Sequence, residues 1–197
     1  MHSFPKTPSI FFGGAFNPPT RSHESVVQHL LKTYPTHKIV LLPSASDNPE
    51  AKTLAPFDER VRWLKLMFKD EHRVIVSDYM SHMPSHTKGR LYHMLHALPE
   101  DATFCIGSDQ ATNITTWYEW QTVVSKVKFL VIERNGNSIP EEIAALFGNL
   151  IISTPDSILK DSSTELRALL RDNQDASHIL PKQLAGDVES IRVHFTS

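Results

Sequence analysis

The stretch GGAFNPPTRSHE, residues 13–24, has the residue types of a phosphate-binding loop. It follows a short apolar run and precedes a segment with helical spacing, so it joins a strand to a helix. Paired glycines let a backbone approach a ligand closely, and the start of a helix offers free N–H groups and a positive dipole end to an anion. Thr20 is expected to cap the helix, and His23 faces the same spot. Alone, either residue is equally compatible with a structural role.

A second helix start that suits a triphosphate lies in DSSTELRALL, residues 161–170. The hydroxyls of Ser162, Ser163 and Thr164 stand beside free backbone N–H groups, and Arg167 follows one turn into the helix. An arginine beside hydroxyls suits phosphate oxygens. The pattern alone leaves open an ordinary capped helix with a solvated arginine.

A third segment, GSDQATNITTWYEW at residues 107–120, has groups that suit a nucleoside. Gly107 and Asp109 come directly after an apolar run, where a carboxylate can accept hydrogen bonds from ribose hydroxyls. Trp117 and Tyr118 offer a plane for a flat heterocycle. An aromatic cluster also commonly belongs to a protein core, and we expect Trp120 to do so.

The rest of the chain supplies the elements that must position these groups. Short apolar runs typical of buried strands occur at residues 9–12, 38–42, 73–77, 102–106, 128–132 and 150–152. Segments with helical spacing lie between them. This alternation predicts an α/β fold, a Rossmann-like doubly wound open parallel sheet with helices on both faces. Ligands in such folds bind beyond the carboxyl ends of the strands, which is where the segments at residues 13–24 and 107–120 begin.

Composition limits the class of protein. The 197 residues favour a single domain, residues 1–197, with residues from about 155 to 197 as its C-terminal helical part. A net charge of −2 gives no general field for a nucleic acid or a membrane surface, so phosphate recognition must be local. Cys105, the only cysteine, is expected to be a buried, reduced thiol. We expect a cytoplasmic protein, and self-association into a homo-oligomer is left open.

The two phosphate segments resemble the motifs of one enzyme family. GGAFNPPTRSHE is similar to the G-x-F-[DN]-P-x-[HT]-x-G-H signature of nucleotidyltransferases, with Ser22 where glycine is frequent. DSSTELR is similar to their I-S-S-T-x-[IV]-R motif, with Asp161 in place of isoleucine. The segments at 54–68, 107–120, 129–136 and 180–188 resemble the nicotinate mononucleotide adenylyltransferases within that family, so the similarity covers nearly the whole chain.

This resemblance implies transfer of AMP from ATP to nicotinate mononucleotide with release of pyrophosphate, in NAD biosynthesis. ATP is then a substrate, and Mg²⁺ arrives with it. The implied catalytic residues are His23, Thr20, Arg167 and Lys52. The implied ATP-binding residues are Gly13, Gly14, Ala15, Phe16, Asn17, Gly107, Asp109, Ser162, Ser163 and Thr164. The implied acceptor-binding residues are Thr87, Trp117, Tyr118 and Arg134. The implied partners are small molecules, neither nucleic acid nor membrane.

Two departures bear on the acceptor. The family segment S-Y-T-x-D-T appears as SHTKGR at residues 85–90, and the family's N-P-H-K appears as NPEAK at residues 48–52. Lys52 is thus either a phosphate-binding lysine or an exposed loop lysine. The alternatives are transfer to nicotinamide mononucleotide or another phosphorylated acceptor, and a sensor that binds ATP or NAD precursors without turnover.

A zinc site is a weaker hypothesis. It would use His82, His86, His93, His96 and Cys105. His82 and His86 flank a Met-Pro break that prevents a shared helical face, and the other two histidines are only a pair on one helix. We therefore assign no metal to the protein.

Overall fold

The computed structural model describes residues 4–45, 54–84, 87, 89–133, 138–155 and 158–196. In these ranges the strands are β1 Ser9–Gly14, β2 Lys38–Pro43, β3 Val74–Val76, β4 Thr103–Gly107, β5 Lys128–Ile132 and β6 Leu150–Ser153. The α-helices are α1 Arg21–Thr33, α2 Phe57–Met67, α3 Arg90–Met94, α4 Ser108–Thr112, α5 Trp120–Lys126, α6 Glu141–Ala144, α7 Ser163–Arg171 and α8 Val188–Arg192. Short 3₁₀ turns occur at Tyr79–His82, Ile114–Thr116 and Lys182–Asp187.

The six strands form one parallel sheet in the order β3-β2-β1-β4-β5-β6. The order reverses between β1 and β4, because the chain builds outward on one side of β1 and then crosses to the other. Phe12 is opposite Cys105 in the register, so both strands end two residues later, at Gly14 and Gly107. Ligands bind at such a reversal in open α/β sheets, and the predicted Rossmann-like fold is confirmed.

Side chains alternate between the two faces of the sheet, as a strand requires. Phe11, Phe104 and Phe129 belong to one core cluster, with apolar residues from α3 to α6. Ile10, Cys105 and Leu130 belong to the cluster on the other face, which packs against α1 and α2. The helices therefore cover both faces of the sheet.

A third apolar cluster lies beside α2 and joins it to the C-terminal helices. Trp63, which is fully buried, packs there with apolar residues of α7 and α8 and of the segment between them. This cluster holds the beginning of α7 against the main body of the fold. The segment predicted as a C-terminal helical part is built of α7, one 3₁₀ turn and α8.

The boundaries of some elements differ from the prediction. The apolar spacing through Leu91, Leu95 and Leu98 predicts a longer helix than α3, which ends at Met94. The chain continues in turns, in which the backbone N–H groups of Ala97 and Leu98 donate to the oxygen of Met94. Pro99 disfavours helical backbone only at Leu98, the residue before it. Cys105 is fully buried as predicted, and burial raises the pKa of its thiol far above the ordinary value. In the part of the chain that the structure describes, each helix is too short or too polar to cross a membrane.

Candidate active site

A cavity of about 190 Å³ lies at the reversal point of the sheet, between the ends of β1 and β4. Six of the predicted site residues line it: Gly13, Gly14, Ala15, His23, Gly107 and Asp109. Its remaining lining residues are Phe12, Ser22, Val26, Ile106, Gln110 and Ile132. The start of α1 also faces the cavity, because Ser22 and His23 belong to its first turn. The cavity thus combines a close backbone approach, a helix start and a single carboxylate.

His23 is held in one orientation by Thr20. The backbone N–H of Thr20 donates a hydrogen bond to His23 Nδ1 at 3.0 Å, and Thr20 Oγ1 lies 2.9 Å from the same nitrogen. Because a backbone N–H can only donate, Nδ1 must be the unprotonated nitrogen of the ring. The proton of the neutral imidazole is therefore on Nε2, which makes that nitrogen a hydrogen-bond donor.

The Phe16 ring packs against the imidazole of His23. Its ring centroid lies 5.0 Å from that of His23, and its φ of 47° places a bulky residue in the left-handed region, where strain is expected unless neighbours hold it. The Phe16 ring also packs over Gly14, where an added Cβ would lie 3.1 Å from it. Gly14 is thus required for the close approach of the ring and the loop.

Three predicted site residues, the catalytic candidate Thr20 and the ATP-binding candidates Phe16 and Asn17, are buried. Thr20, Phe16 and Asn17 are at most 2% exposed. Thr20 is the N-cap of α1, and the side-chain oxygen of Asn17 accepts a hydrogen bond from the backbone N–H of Ala55 at 2.9 Å. In this structure they shape the loop and orient His23. We therefore describe them as positioning residues.

The start of α7 docks on the same loop. Ser163 Oγ donates to the carbonyl oxygen of Pro18 at 2.8 Å, and Arg167 Nη1 donates to that of Asn17 at 2.9 Å. Ser162 caps the helix by accepting from the backbone N–H of Glu165. The structure thus brings together two motifs that stand about 150 positions apart in the chain.

Arg167 makes a second hydrogen bond, to a residue of its own helix. Its Nη2 donates to Thr164 Oγ1 at 3.1 Å. Burial lowers the pKa of Arg167, but an arginine so affected still carries its charge at neutral pH. Residues 13–20 are called the glycine loop here. A fixed guanidinium beside this loop is suited to a polyphosphate.

A second, more open pocket lies beside α3, which contributes His93 to it. Thr87 and Tyr118 line it, together with Tyr79, His82, Met83, Pro84, His93 and His96. Tyr118 is 47% exposed and stacks on the His93 ring at 6.0 Å. Trp117 does not line this pocket and packs against the core of the sheet. The predicted aromatic pair is therefore divided between a pocket wall and the core.

Comparison with known proteins places this site in a family. The family model described as cytidylyltransferase-like matches residues 11–169. That span contains the glycine loop, the start of α1 and the start of α7. The chain belongs to the cytidylyltransferase-like family. The sequence-based prediction of a nucleotidyltransferase is thereby confirmed.

Curated relatives are similar to this chain over most of their own length. A protein of Sulfurimonas denitrificans, named "Probable nicotinate-nucleotide adenylyltransferase", is 30% identical, with 90% of each chain covered. A protein of the same name from Fusobacterium nucleatum is 28% identical, covering 90% of this chain and 95% of its own. The solved nicotinic acid mononucleotide adenylyltransferase of Plasmodium falciparum, in complex with NaAD, has a TM-score of 0.78 at 21% identity over 96% of this chain and 98% of its own. That structural likeness supports the fold.

Two predicted site residues of this family member, Lys52 and Arg134, lie outside the described residues. The same holds for Ser85, His86 and Lys88 of the segment SHTKGR, and His86 is also one of the residues of the zinc hypothesis. In the described ranges, we find no group of three or more His, Cys, Asp or Glu side chains arranged to hold a metal ion.

Sequence reasoning missed Arg60 and Gln110. Gln110 lines the cavity from α4, and its side-chain oxygen lies 3.5 Å from the backbone nitrogen of Gly107. Arg60 is buried beneath the glycine loop. Gln110 could have been found, since it stands one turn after the strand end. The signal for Arg60 was absent, because an arginine in FDERVRW is typical of an exposed helix face.

Asp161, where the family motif has isoleucine, carries an unsatisfied carboxylate. Its Oδ2 is buried and lacks a hydrogen-bond partner among the residues that the structure describes. Burial raises the pKa of Asp161; Glu165 adds to this, while Arg21 and His178 oppose it. The ionised group therefore costs the folded state free energy above the raised pKa. The cost fades as the pH falls through that value.

Asp161→Asn is accordingly expected to stabilise the protein at pH 7, by about 1 kcal/mol, because the amide carries no charge that burial disfavours. Thermal unfolding of the wild type and of Asp161→Asn at pH 7 and at pH 4.5 measures the change in stability. The stabilisation by Asp161→Asn should be larger at pH 7. Asp172→Asn is the matched control, since Asp172 is exposed beside Arg171. A gain equal at both pH values would contradict the assignment.

Proposed function

We propose that this protein is a nicotinate-nucleotide adenylyltransferase, which transfers AMP from ATP to nicotinate mononucleotide and releases pyrophosphate. The observation that carries the proposal is the docking of Ser163 and Arg167 on the loop that positions His23. Two phosphate-binding helix starts thereby converge on one place. The names of the curated relatives support the choice of acceptor.

The reaction is a direct in-line displacement. A 5′-phosphate oxygen of the acceptor attacks the α-phosphorus of ATP, the bond from that phosphorus to the bridging oxygen breaks, and pyrophosphate leaves with the electron pair. Such a transfer depends on positioning and on stabilising charge. The Nε2–H of His23 donates to the phosphate oxygens as charge builds on them. Arg167 neutralises the leaving polyphosphate, and Thr20 holds the imidazole in place.

ATP occupies the cavity between β1 and β4. The backbone of Gly13, Gly14 and Ala15 faces its phosphates, while Gly107 and Asp109 face the ribose, whose hydroxyls can donate to the carboxylate. The hydroxyls of Ser162 to Thr164 surround the end of the phosphate chain. Mg²⁺ arrives with ATP and supplies further charge neutralisation, bound chiefly by phosphate oxygens.

The acceptor occupies the second pocket. Tyr118 supplies a flat surface for the pyridine ring, and Thr87 a hydroxyl at its edge. Three imidazoles line the same pocket, so an anionic ring substituent meets hydrogen-bond donors there. Trp117 supports Tyr118 from the core, and we keep Lys52 and Arg134 as candidates for the acceptor's phosphate and ring. The carboxylate form of the pyridine is therefore the preferred acceptor.

We further propose that the protein acts as a single domain in the cytoplasm, where ATP and pyridine mononucleotides are available. The chain contributes each residue named for the reaction, so a partner subunit is not required by the mechanism. A homo-oligomer is compatible with it.

The test is pyrophosphate release from ATP with a panel of acceptors. We expect release with nicotinate mononucleotide at least tenfold faster in kcat/KM, or about 1.4 kcal/mol, than with nicotinamide mononucleotide or phosphopantetheine. Release with a different member of the panel would favour that acceptor. ATP binding, measured by calorimetry, without release for any acceptor would favour a sensor and contradict the proposal.

Gly89→Ala tests the acceptor pocket. Gly89 has a φ of 64°, and an added Cβ would lie 2.5 Å from Tyr118 Cβ, so the methyl group must push Tyr118 away. We expect KM for the acceptor to rise about tenfold, with KM for ATP nearly unchanged. Initial rates measure both constants.

Gly186→Ala is the control, because no described atom lies within 4 Å of a Cβ at that position. Tyr118→Ala should reproduce the rise in acceptor KM without backbone strain. An equal change in both KM values for both variants would mean that Tyr118 does not face the acceptor.

A further inference from the structure

Arg60 in α2 is a cation that the fold buries almost completely. Its exposed fraction is 2%. Burial lowers the pKa of Arg60, and no charged neighbour among the described residues contributes to that shift. A buried charge without an anionic partner is costly unless other polar groups satisfy it.

Three backbone carbonyls satisfy the guanidinium. Arg60 Nη1 donates to the oxygen of Ala15 at 2.7 Å, Nη2 to that of Ser44 at 2.8 Å, and Nε to that of Ala55 at 3.0 Å. The three carbonyls come from the loop after β1, the end of β2 and the segment before α2. Only a planar fork of donors reaches such a set at once.

The residues that Arg60 holds are themselves tied to the glycine loop. The backbone N–H of Ser44 donates to the oxygen of Gly14 at 2.9 Å. The backbone N–H of Ala55 donates to Asn17 Oδ1 at 2.9 Å. The hydrogen bonds of Arg60 therefore lead, directly or through Ser44 and Ala55, to residues 14–17. Of these residues, Ala15 lines the cavity.

We propose that Arg60 is a positioning residue for ATP. It does not reach the cavity, so it acts through the backbone of Ala15 and through the network that holds Gly14 and Asn17. Its fixed positive charge beneath the loop also favours a polyanion above it. This inference rests on the proposed adenylyl transfer and adds to it a determinant of how the phosphates are held.

The test compares Arg60→Met and Arg60→Lys with the wild type. Methionine keeps the apolar stem and removes the donors, while lysine keeps a charge but not the fork. We expect both variants to lose about 10²-fold in kcat/KM for ATP, the scale of a misplaced reacting group. Isothermal calorimetry with a non-hydrolysable ATP analogue measures binding in the absence of turnover. We expect both variants to bind the analogue more weakly than the wild type does.

Arg62→Met is the matched control on the same helix. Arg62 is partly exposed and pairs with Glu59 and Asp187, so its loss should lower the unfolding temperature while kcat/KM stays within about twofold. Rates are measured below the unfolding transition of each variant. Wild-type kinetics and analogue binding in both folded Arg60 variants would overturn the inference.

Chemical rescue separates positioning from stability. Arg60→Ala leaves a space that a free guanidinium ion fits, and millimolar guanidinium should raise kcat/KM for ATP several-fold where equal sodium chloride does not. If every Arg60 variant fails to fold, amide hydrogen exchange in the wild type takes its place. The amides of Ser44 and Ala55 should exchange more slowly with the ATP analogue bound, and unchanged exchange would refute the proposal.

The inference and the proposed function fail in different ways. If the wild type binds the analogue but releases no pyrophosphate with any acceptor, the proposed function is wrong. Calorimetry of the Arg60 variants then still tests the role of Arg60 in ATP binding. An active wild type whose Arg60 variants bind and turn over normally ends the inference alone.

Discussion

His23→Ala is expected to lower turnover about 10²- to 10³-fold, the loss that follows removal of one preorganised donor. The tautomer fixed by Thr20 places the ring proton on Nε2, and alanine removes that donor. Because the interaction strengthens as charge develops on the phosphates, kcat should fall much more than KM for ATP rises. Steady-state pyrophosphate release measures both constants.

His29→Ala is the control for His23, since His29 lies on the same helix. Its ring contacts Ser153 at 3.1 Å, outside the cavity, and its substitution should leave kcat within about twofold. Circular dichroism establishes that both variants are folded. A folded His23→Ala protein with nearly full turnover would show that the imidazole takes no part in the reaction.

Arg167→Met is expected to lower kcat/KM for ATP by about 10- to 10²-fold, the equivalent of one charge-assisted hydrogen bond. The change removes the bond to the Asn17 carbonyl as well as the positive charge. Both losses weaken the hold on the polyphosphate. Initial rates at varied ATP measure the effect.

Arg171→Met, one turn further along α7, is the matched control. Arg171 is exposed and pairs only with Asp172 among the described salt bridges, so its loss should leave the kinetics unchanged. Equal kinetics for the two variants would mean that α7 supports the fold but not ATP. Arg167→Lys should fall between the wild type and Arg167→Met, because lysine keeps the charge and loses the fork.

The features that sequence predicted well are those with a local cause. Buried parallel strands are continuous apolar runs, so each of the six was found within about two residues. Glycines after a strand, followed by a hydroxyl residue at the start of a helix, are typical of a phosphate-binding loop. This pattern predicted Gly14 and His23 as site residues. The convergence of α7 on the loop could be expected only from the resemblance of both motifs to one family.

The features that sequence did not predict depend on three-dimensional neighbours. Thr20 was predicted as a helix cap and a catalytic residue, and only the structure shows that its hydroxyl is buried and lies beside His23 Nδ1. Trp117 and Tyr118 are consecutive in the chain, and only the folded structure shows that the first packs against the core while the second lines a pocket. Arg60 and the partly exposed Arg62 look alike in the sequence, and only the structure shows that Arg60 is buried and bonded to three backbone carbonyls.

The docking of α7 on the loop after β1 has a consequence for synthesis of the chain. Ser163 meets the carbonyl of Pro18, a residue made 145 positions earlier. A nascent chain can pair β1 with β2 and β4 while its later part is still in the ribosome. It cannot assemble the complete proposed nucleotide pocket until α7, Ser163–Arg171, has emerged. We therefore expect a nascent chain that stops before α7 to lack the arrangement proposed to hold ATP.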